Sequence, residues 1–168
     1  MNQKINEKLR EELIEMMDED QRTGKAHDWK NYFEVVRKRN TERLKEIIKE
    51  YGWPGFSLVG KDGSRAAWLL VQHSDHDLEF QKQTLELLKK AVEKGDASKR
   101  NLAYLTDRVR RHSGEPQLFG TQFEQKENGE WGPQPIEDPE NLEKRRKEFG
   151  LEPFSEYEKR MEELHKNG

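Results

Sequence analysis

The chain has no cysteine among its 168 residues. Disulfides, thiolate nucleophiles and cysteine-held zinc are therefore excluded. It has no apolar run of membrane-spanning length. The opening stretch "MNQKINEKLREELIEMMDEDQ" is charged throughout, unlike a signal peptide, so a cytoplasmic location is expected. Neither sign of charge dominates: 31 Lys and Arg stand against 34 Asp and Glu, a net charge of −3, which gives no bulk attraction to nucleic acid. There is no phosphate-binding loop, no G-x-S-x-G elbow and no G-x-G-x-x-G turn, and no histidine pair has the H-x-x-x-H spacing of a zinc protease. Apolar residues are scarce, at 31% against 39% charged, with a mean hydropathy of −1.24. That polarity leans toward disorder. The aromatics and a clear helical periodicity point instead to a compact core under salt-bridge-laced helices.

What is present is mostly helix. Ile5, Leu9, Leu13, Met16 and Met17 follow helical spacing, and the same stripe continues to Asp20, so a carboxylate stands where a core residue is expected. Gly24 ends this element. A second stripe holds Trp29, Phe33, Val36, Asn40, Leu44, Ile47, Ile48 and Tyr51, with the Asn40 amide in its middle; a buried amide needs partners. Gly52, Trp53 and Pro54 stop it. "FSLVGKDGS" is short, partly alternating and closed by an Asp62-Gly63 turn signal. Ser64 is placed to cap a central helix from Arg65 to about His73, apolar nearly all round. Asp75 or Asp77 caps the next helix, which Gly95 stops. Asp96 or Ser98 caps another, which Gly114 stops. Asn128-Gly129 signals a hairpin, Asp138-Pro139 a helix start, Gly150 a helix stop, and Phe154, Tyr157, Met161 and Leu164 stripe a last helix. The expected architecture is mainly α: a single-domain helical bundle of about six to seven helices with a small C-terminal β-hairpin. Residues 1–168 form one domain, with a helical core over 1–114, the hairpin over 117–136 and C-terminal helices over 139–166.

The end of the central helix, "WLLVQHSDHD", concentrates titratable groups. His73 emerges beside apolar neighbours, and imidazole suits proton transfer near neutral pH. A hydrogen-bonded core histidine is the plainer reading. Asp77 shares a face with His73 and can orient its ring while capping a helix; Asp75 reads as a cap. In "AYLTDRVRR", Asp107 and Arg108 face away from Leu102, Leu105 and Val109, on a side that is either solvated or turned to an anionic or amide group. In "PQLFGTQF", Gly120 inside a strand pattern marks a bulge or a close backbone approach, and Gln117 and Gln122 add neutral hydrogen-bonding groups. Two His-Asp pairs, His27-Asp28 and His76-Asp77, with Asp107 following, superficially resemble HD-type metal phosphohydrolases. His112 and His165 sit in charged helix ends.

The segments "EDQ" (Glu19 to Gln21), "RN" (Arg39-Asn40), "GWP", "LVG", "AAWLLVQH", "DLEFQ", "AYLTDR", "PQLFGTQF", "IEDPE" and "RR" followed by "FGLEPFSEY" run in order along nearly the full length. In them the chain resembles a bacterial domain of unknown function, the family numbered 6624. The resemblance implies roles for Asp20, Gln21, Asn40, Gln72, His73, Asp77, Asp107, Arg108, Gly120, Thr121 and Gln122, whose positions the family pattern retains. It implies none for Asp75 or His76, which weighs against the HD-type reading. Phe119 departs from a pattern that often has tyrosine there. No activity, substrate or cofactor comes with the resemblance.

The expected site gathers these groups in one pocket. His73 is its general acid or base, oriented by Asp77 or Asp107. Arg108 binds a carboxylate or phosphate, Gln72 and Gln122 position an amide or hydroxyl, and Asp20, Gln21, Asn40 and Thr121 complete the lining. The expected protein is a small enzyme needing no metal and no cofactor, acting by hydrolysis or group transfer on a small polar or anionic substrate, with no nucleic-acid or membrane partner. Two other readings stay open. One is a non-catalytic ligand- or protein-binding helical module in which the polar cluster is structural. The other is a metal-dependent phosphohydrolase using His73, Asp77 and Asp107.

Overall fold

The computed structural model describes residues 4–26 and 28–167. His27, and with it the first His-Asp pair, lies outside the described residues. The chain forms two compact units, Met1–Ser98 and Lys99–Gly168. Among the described residues it is mainly helical with one small hairpin, as the patterning anticipates.

The first unit begins with α1 (Glu7–Lys25), capped by the Asn6 side chain accepting from the Leu9 N–H. Leu9 and Leu13 are buried along its inner face, and Asp20 is buried with them. A short α2 (Trp29–Asn31) leads into a π-helical segment (Tyr32–Arg37) and then α3 (Lys38–Tyr51). The wider i→i+5 winding changes which residues face inward. Tyr32, Val36, Asn40, Leu44 and Ile47 are buried, whereas Trp29 and Phe33 are 52% and 43% exposed. The expected stripe placed those two rings in the core. That placement assumed a constant period of 3.6, which fails across the π segment.

α4 (Phe56–Gln72) corrects a second expectation. "FSLVGKDGS" is helical, not extended. Asp96 caps its start, accepting from the Ser57 N–H at 2.7 Å and the Ser57 hydroxyl at 3.0 Å. Gly60, at φ 71° and ψ 175°, kinks the helix, a conformation that strongly favours glycine. Asp62 then stands in the first turn after the kink, where a carboxylate suits the helix dipole. The Arg10 guanidinium holds its carboxyl down to about 2. Asp62-Gly63 is thus a helix start instead of a turn. The remainder of α4 buries Ala66, Ala67, Leu70 and Val71 and packs on α1 and α3, the central position its sequence calls for.

Asp77 caps α5 (Leu78–Glu93), accepting from the Phe80 N–H at 3.0 Å and from Lys45 Nζ at 2.8 Å. Gln81, fully buried, donates to the Val71 and Gln72 carbonyls and to Asp75, tying α5 to the end of α4.

The second unit holds α6 (Lys99–His112), the hairpin strands β1 (Phe123–Gln125) and β2 (Trp131–Pro133), α7 (Leu142–Glu148) and α8 (Phe154–Asn167). The strands pair antiparallel with Glu124 opposite Gly132, around the expected Asn128-Gly129 turn. Asp138 does not cap with its side chain; it takes a left-handed backbone conformation before a 3-10 turn beginning at Pro139. Ala103, Phe119 and Leu151 form a small core with Tyr104, Leu118 and Phe149.

The Asp77 cap gives a measurable pH effect. Lys45 first, and the Phe80 N–H second, hold its carboxyl below the ordinary aspartate value. Its contribution is therefore full above the unfolded-state value, about 4, and is lost as pH falls through the lower folded-state value. Asp77→Ala should cost about 1 kcal/mol in urea unfolding at neutral pH, and the gap from wild type should close as the pH drops below about 4.

Candidate active site

His73 follows the end of α4, and its ring reaches Asp20 on α1. Its Nδ1 lies 2.5 Å from Oδ2 of Asp20. The Asp20 side chain is 1% exposed and that of His73 22%. An ionised carboxylate only accepts hydrogen bonds, so against it the ring donates from Nδ1, and in the neutral ring Nε2 then keeps the lone pair. The Tyr32 hydroxyl stands 3.5 Å from the same carboxylate oxygen and 3.4 Å from Nδ1. With Nδ1 carrying a proton, Tyr32 donates to Asp20. Burial pushes the Tyr32 phenol up, which keeps it a donor. Gln21 Nε2 makes a long contact of 3.4 Å to Asp20. Every one of these contacts falls on Oδ2; Oδ1 is buried without a hydrogen-bond partner.

His73, Asp20 and Tyr32 line an open depression of about 320 Å³ with Gln21, Gly24, Lys25, Trp29, Phe33 and Arg37. The π-helical segment builds one wall. Winding at i→i+5 brings Arg37 back over Tyr32 and Phe33, its Cζ 4.6 Å from each ring centroid. The Arg37 Nε is buried without a hydrogen-bond partner, and its nearest carboxylate, Asp75, is 3.9 Å away. Chemically, this is an imidazole with one nitrogen fixed by a buried carboxylate, beside a cation and an aromatic wall.

The other expected residues take different places. Asn40 is buried with Nδ2 unpartnered and lines a separate depression with Met16, Glu19 and Arg39. Gln72 is buried with Oε1 unpartnered. The orienting acid for His73 is Asp20. Asp77 is taken up by Lys45 and the Phe80 N–H, and Asp107 by a loop of the second unit, so neither fills that role. His76 is exposed.

In the second unit Asp107 is fully buried. It accepts from the backbone N–H groups of Leu118 at 2.7 Å, Phe119 at 3.0 Å and Thr121 at 3.0 Å, and from the Thr121 hydroxyl at 2.9 Å. Burial pushes its carboxyl up while these donors pull it down. Gln117 repeats the device on the next turn of chain, donating to the Gln122 and Gln134 carbonyls and accepting from the Gln122 N–H. Gln122 in turn donates to the Thr121 hydroxyl at 3.1 Å. Gly120, at φ 67°, lies under Phe154: a Cβ there would be 2.7 Å from the Phe154 ring. The close approach expected at Gly120 is therefore an internal one. Arg108 is half-buried on α6. Asp107 is enclosed by amide donors and Asp77 is held by Lys45, and among the described residues no three His, Asp or Glu side chains gather as a metal-binding group.

A model of the family of unknown function DUF6624 matches residues 8–166. The chain belongs to that family. No curated protein and no solved structure matches it. In this DUF6624 chain, patterning flagged Asp20 and His73, the family resemblance added Gln21, and neither pointed to Tyr32 or Arg37. The signal for those two was a run of aromatics before an arginine, hidden by reading the segment as a regular α-helix. The enclosed Asp107 should be structural: Asp107→Asn presents an amide to backbone N–H donors and should lower stability by about 3 kcal/mol, read by thermal unfolding of the full chain.

Proposed function

We propose that the chain is a small acid–base enzyme in which His73 moves the proton, by hydrolysis or group transfer, on a small anionic or polar substrate. Nε2 of His73 takes a proton from water or a substrate hydroxyl, and Asp20 stabilises the imidazolium that forms. Tyr32 steadies the carboxylate, and Arg37 holds an anionic group of the substrate. With no cysteine in the chain and, among the described residues, no hydroxyl bonded to His73 apart from Tyr32, water or a substrate group is the attacking species.

One observation carries this reading. Asp20 is buried yet leaves half its acceptor capacity unmet. A buried carboxylate in that condition weakens the fold, so its presence is explained by what it does to His73. The contrast is with Asp107, whose oxygens are fully used.

Asp20→Asn separates the two possibilities. For a functional carboxylate, stability should stay within about 1 kcal/mol of wild type or rise, while carbethoxylation of His73 by diethyl pyrocarbonate, followed by peptide mass spectrometry, slows. A structural ion pair would instead lose about 3 kcal/mol or more, with the reactivity of His73 unchanged.

A further inference from the structure

Gly24 lies inside α1 and does not end it. It is helical and is not among the glycines with positive φ, so its backbone does not call for glycine, and alanine is the better helix former at such a position. The space beside it gives the reason for the residue. A Cβ placed on residue 24 would stand 3.2 Å from Cζ of Tyr32 and 3.5 Å from its hydroxyl, closer to the ring carbon than ordinary van der Waals contact. The phenol end of Tyr32 therefore rests where a side chain at 24 would be.

The ring has little room to retreat. Tyr32 is buried. The Arg37 guanidinium covers it, with Cζ 4.6 Å from the ring centroid, and Phe33 packs on it at 5.1 Å between centroids. Its hydroxyl stands 3.5 Å from Oδ2 of Asp20 and 3.4 Å from Nδ1 of His73, both at the outer limit of hydrogen bonding. A small displacement of the phenol breaks these contacts. Gly24 follows Asp20 by one turn on the same face of α1, and a side chain there leans toward the helix N-terminus, into the space between the two.

We infer that Gly24 is a positioning residue of the His73 site: its missing side chain keeps the volume in which the Tyr32 hydroxyl meets the Asp20–His73 pair. The inference rests on the reading of His73 as the reacting base. While Tyr32 donates to Oδ2, part of the charge on that oxygen is engaged by the phenol, and less of it polarises the imidazole. A side chain at 24 displaces the hydroxyl, leaves Oδ2 to the Nδ1–H alone and makes Nε2 more nucleophilic. Glycine at this position sets the reactivity of the ring, against the preference of the helix for alanine.

The test compares wild type, Gly24→Ala, Tyr32→Phe and the double variant, each as the full chain, by the rate at which diethyl pyrocarbonate modifies His73 at one alkaline pH. Gly24→Ala and Tyr32→Phe should each speed the modification about threefold, the scale of one hydrogen bond, and the Nε2 nitrogen-15 resonance of His73 should move alike in both. Tyr32→Phe keeps the ring that residue 24 meets and removes only the hydroxyl. In that background Gly24→Ala should add nothing, whereas an effect of packing alone would persist. An unchanged rate in Gly24→Ala, an equal added change in the Tyr32→Phe background, or a Gly24→Ala chain that does not fold would overturn the inference. If Asp20→Asn still slows His73 in that event, the acid–base reading survives. No slowing in Asp20→Asn removes that reading, and the inference with it.

Discussion

The first unit is organised around one buried charge. Asp20 occupies a core position on α1, and the nearest group able to offset it is the His73 ring at the end of α4. Taking a carboxylate out of water is expensive, and a single short hydrogen bond from an imidazole offsets only part of the loss. Much around it serves that pair. α1 and α4 pack together, which fixes the separation of their side chains. Tyr32 is buried on the π segment so that its hydroxyl meets the same oxygen. The His73 side chain stays 22% exposed and lines the open depression.

Buried polar groups in this chain do two different jobs, and hydrogen-bond completeness tells them apart. Asp107 and Gln117 fill the bonding capacity of the irregular chain between α6 and the hairpin. They supplement the few backbone bonds that residues 117–122 make to residues 134–137, among them the Gln117–Ile136 bridge. Arg146, 1% exposed, extends the same logic by donating to the Phe119 and Glu152 carbonyls. Such residues set shape and have nothing left to offer a ligand. Asp20 and Arg37 are the opposite: each keeps an unfilled atom beside an open depression. Asn40, with its unpartnered Nδ2 beside a second depression, shares that condition, so unmet capacity next to solvent-accessible space marks a candidate, whereas full satisfaction marks a clamp.

Much of this was legible from residues alone. Asp20 interrupts an apolar stripe and Asn40 another, so their burial followed from periodicity. The helix boundaries at Asp77, Gly95 and Gly114 followed from capping and left-handed glycines. The rest failed for identifiable reasons. A period of 3.6 misassigns the residues of a π segment, so Trp29 and Phe33 were placed inside and Tyr32 and Arg37 went unremarked. Asp62-Gly63 carries the same letters whether it turns the chain or starts a helix, and the outcome depends on Asp96 capping from far along the sequence. Asp107 resembles a catalytic acid until the loop that encloses it is drawn, because three of its donors are backbone N–H groups, which no sequence pattern displays.

The most direct test of the buried Asp20–His73 pair is the tautomer of the neutral His73 ring, read from long-range proton–nitrogen correlations on nitrogen-15-labelled protein at alkaline pH. The expected result is a neutral imidazole carrying its proton on Nδ1, with Nε2 bare. A neutral ring protonated on Nε2, the form preferred by free histidine in water, would mean that Asp20 does not hold His73 and would contradict the site described for this chain.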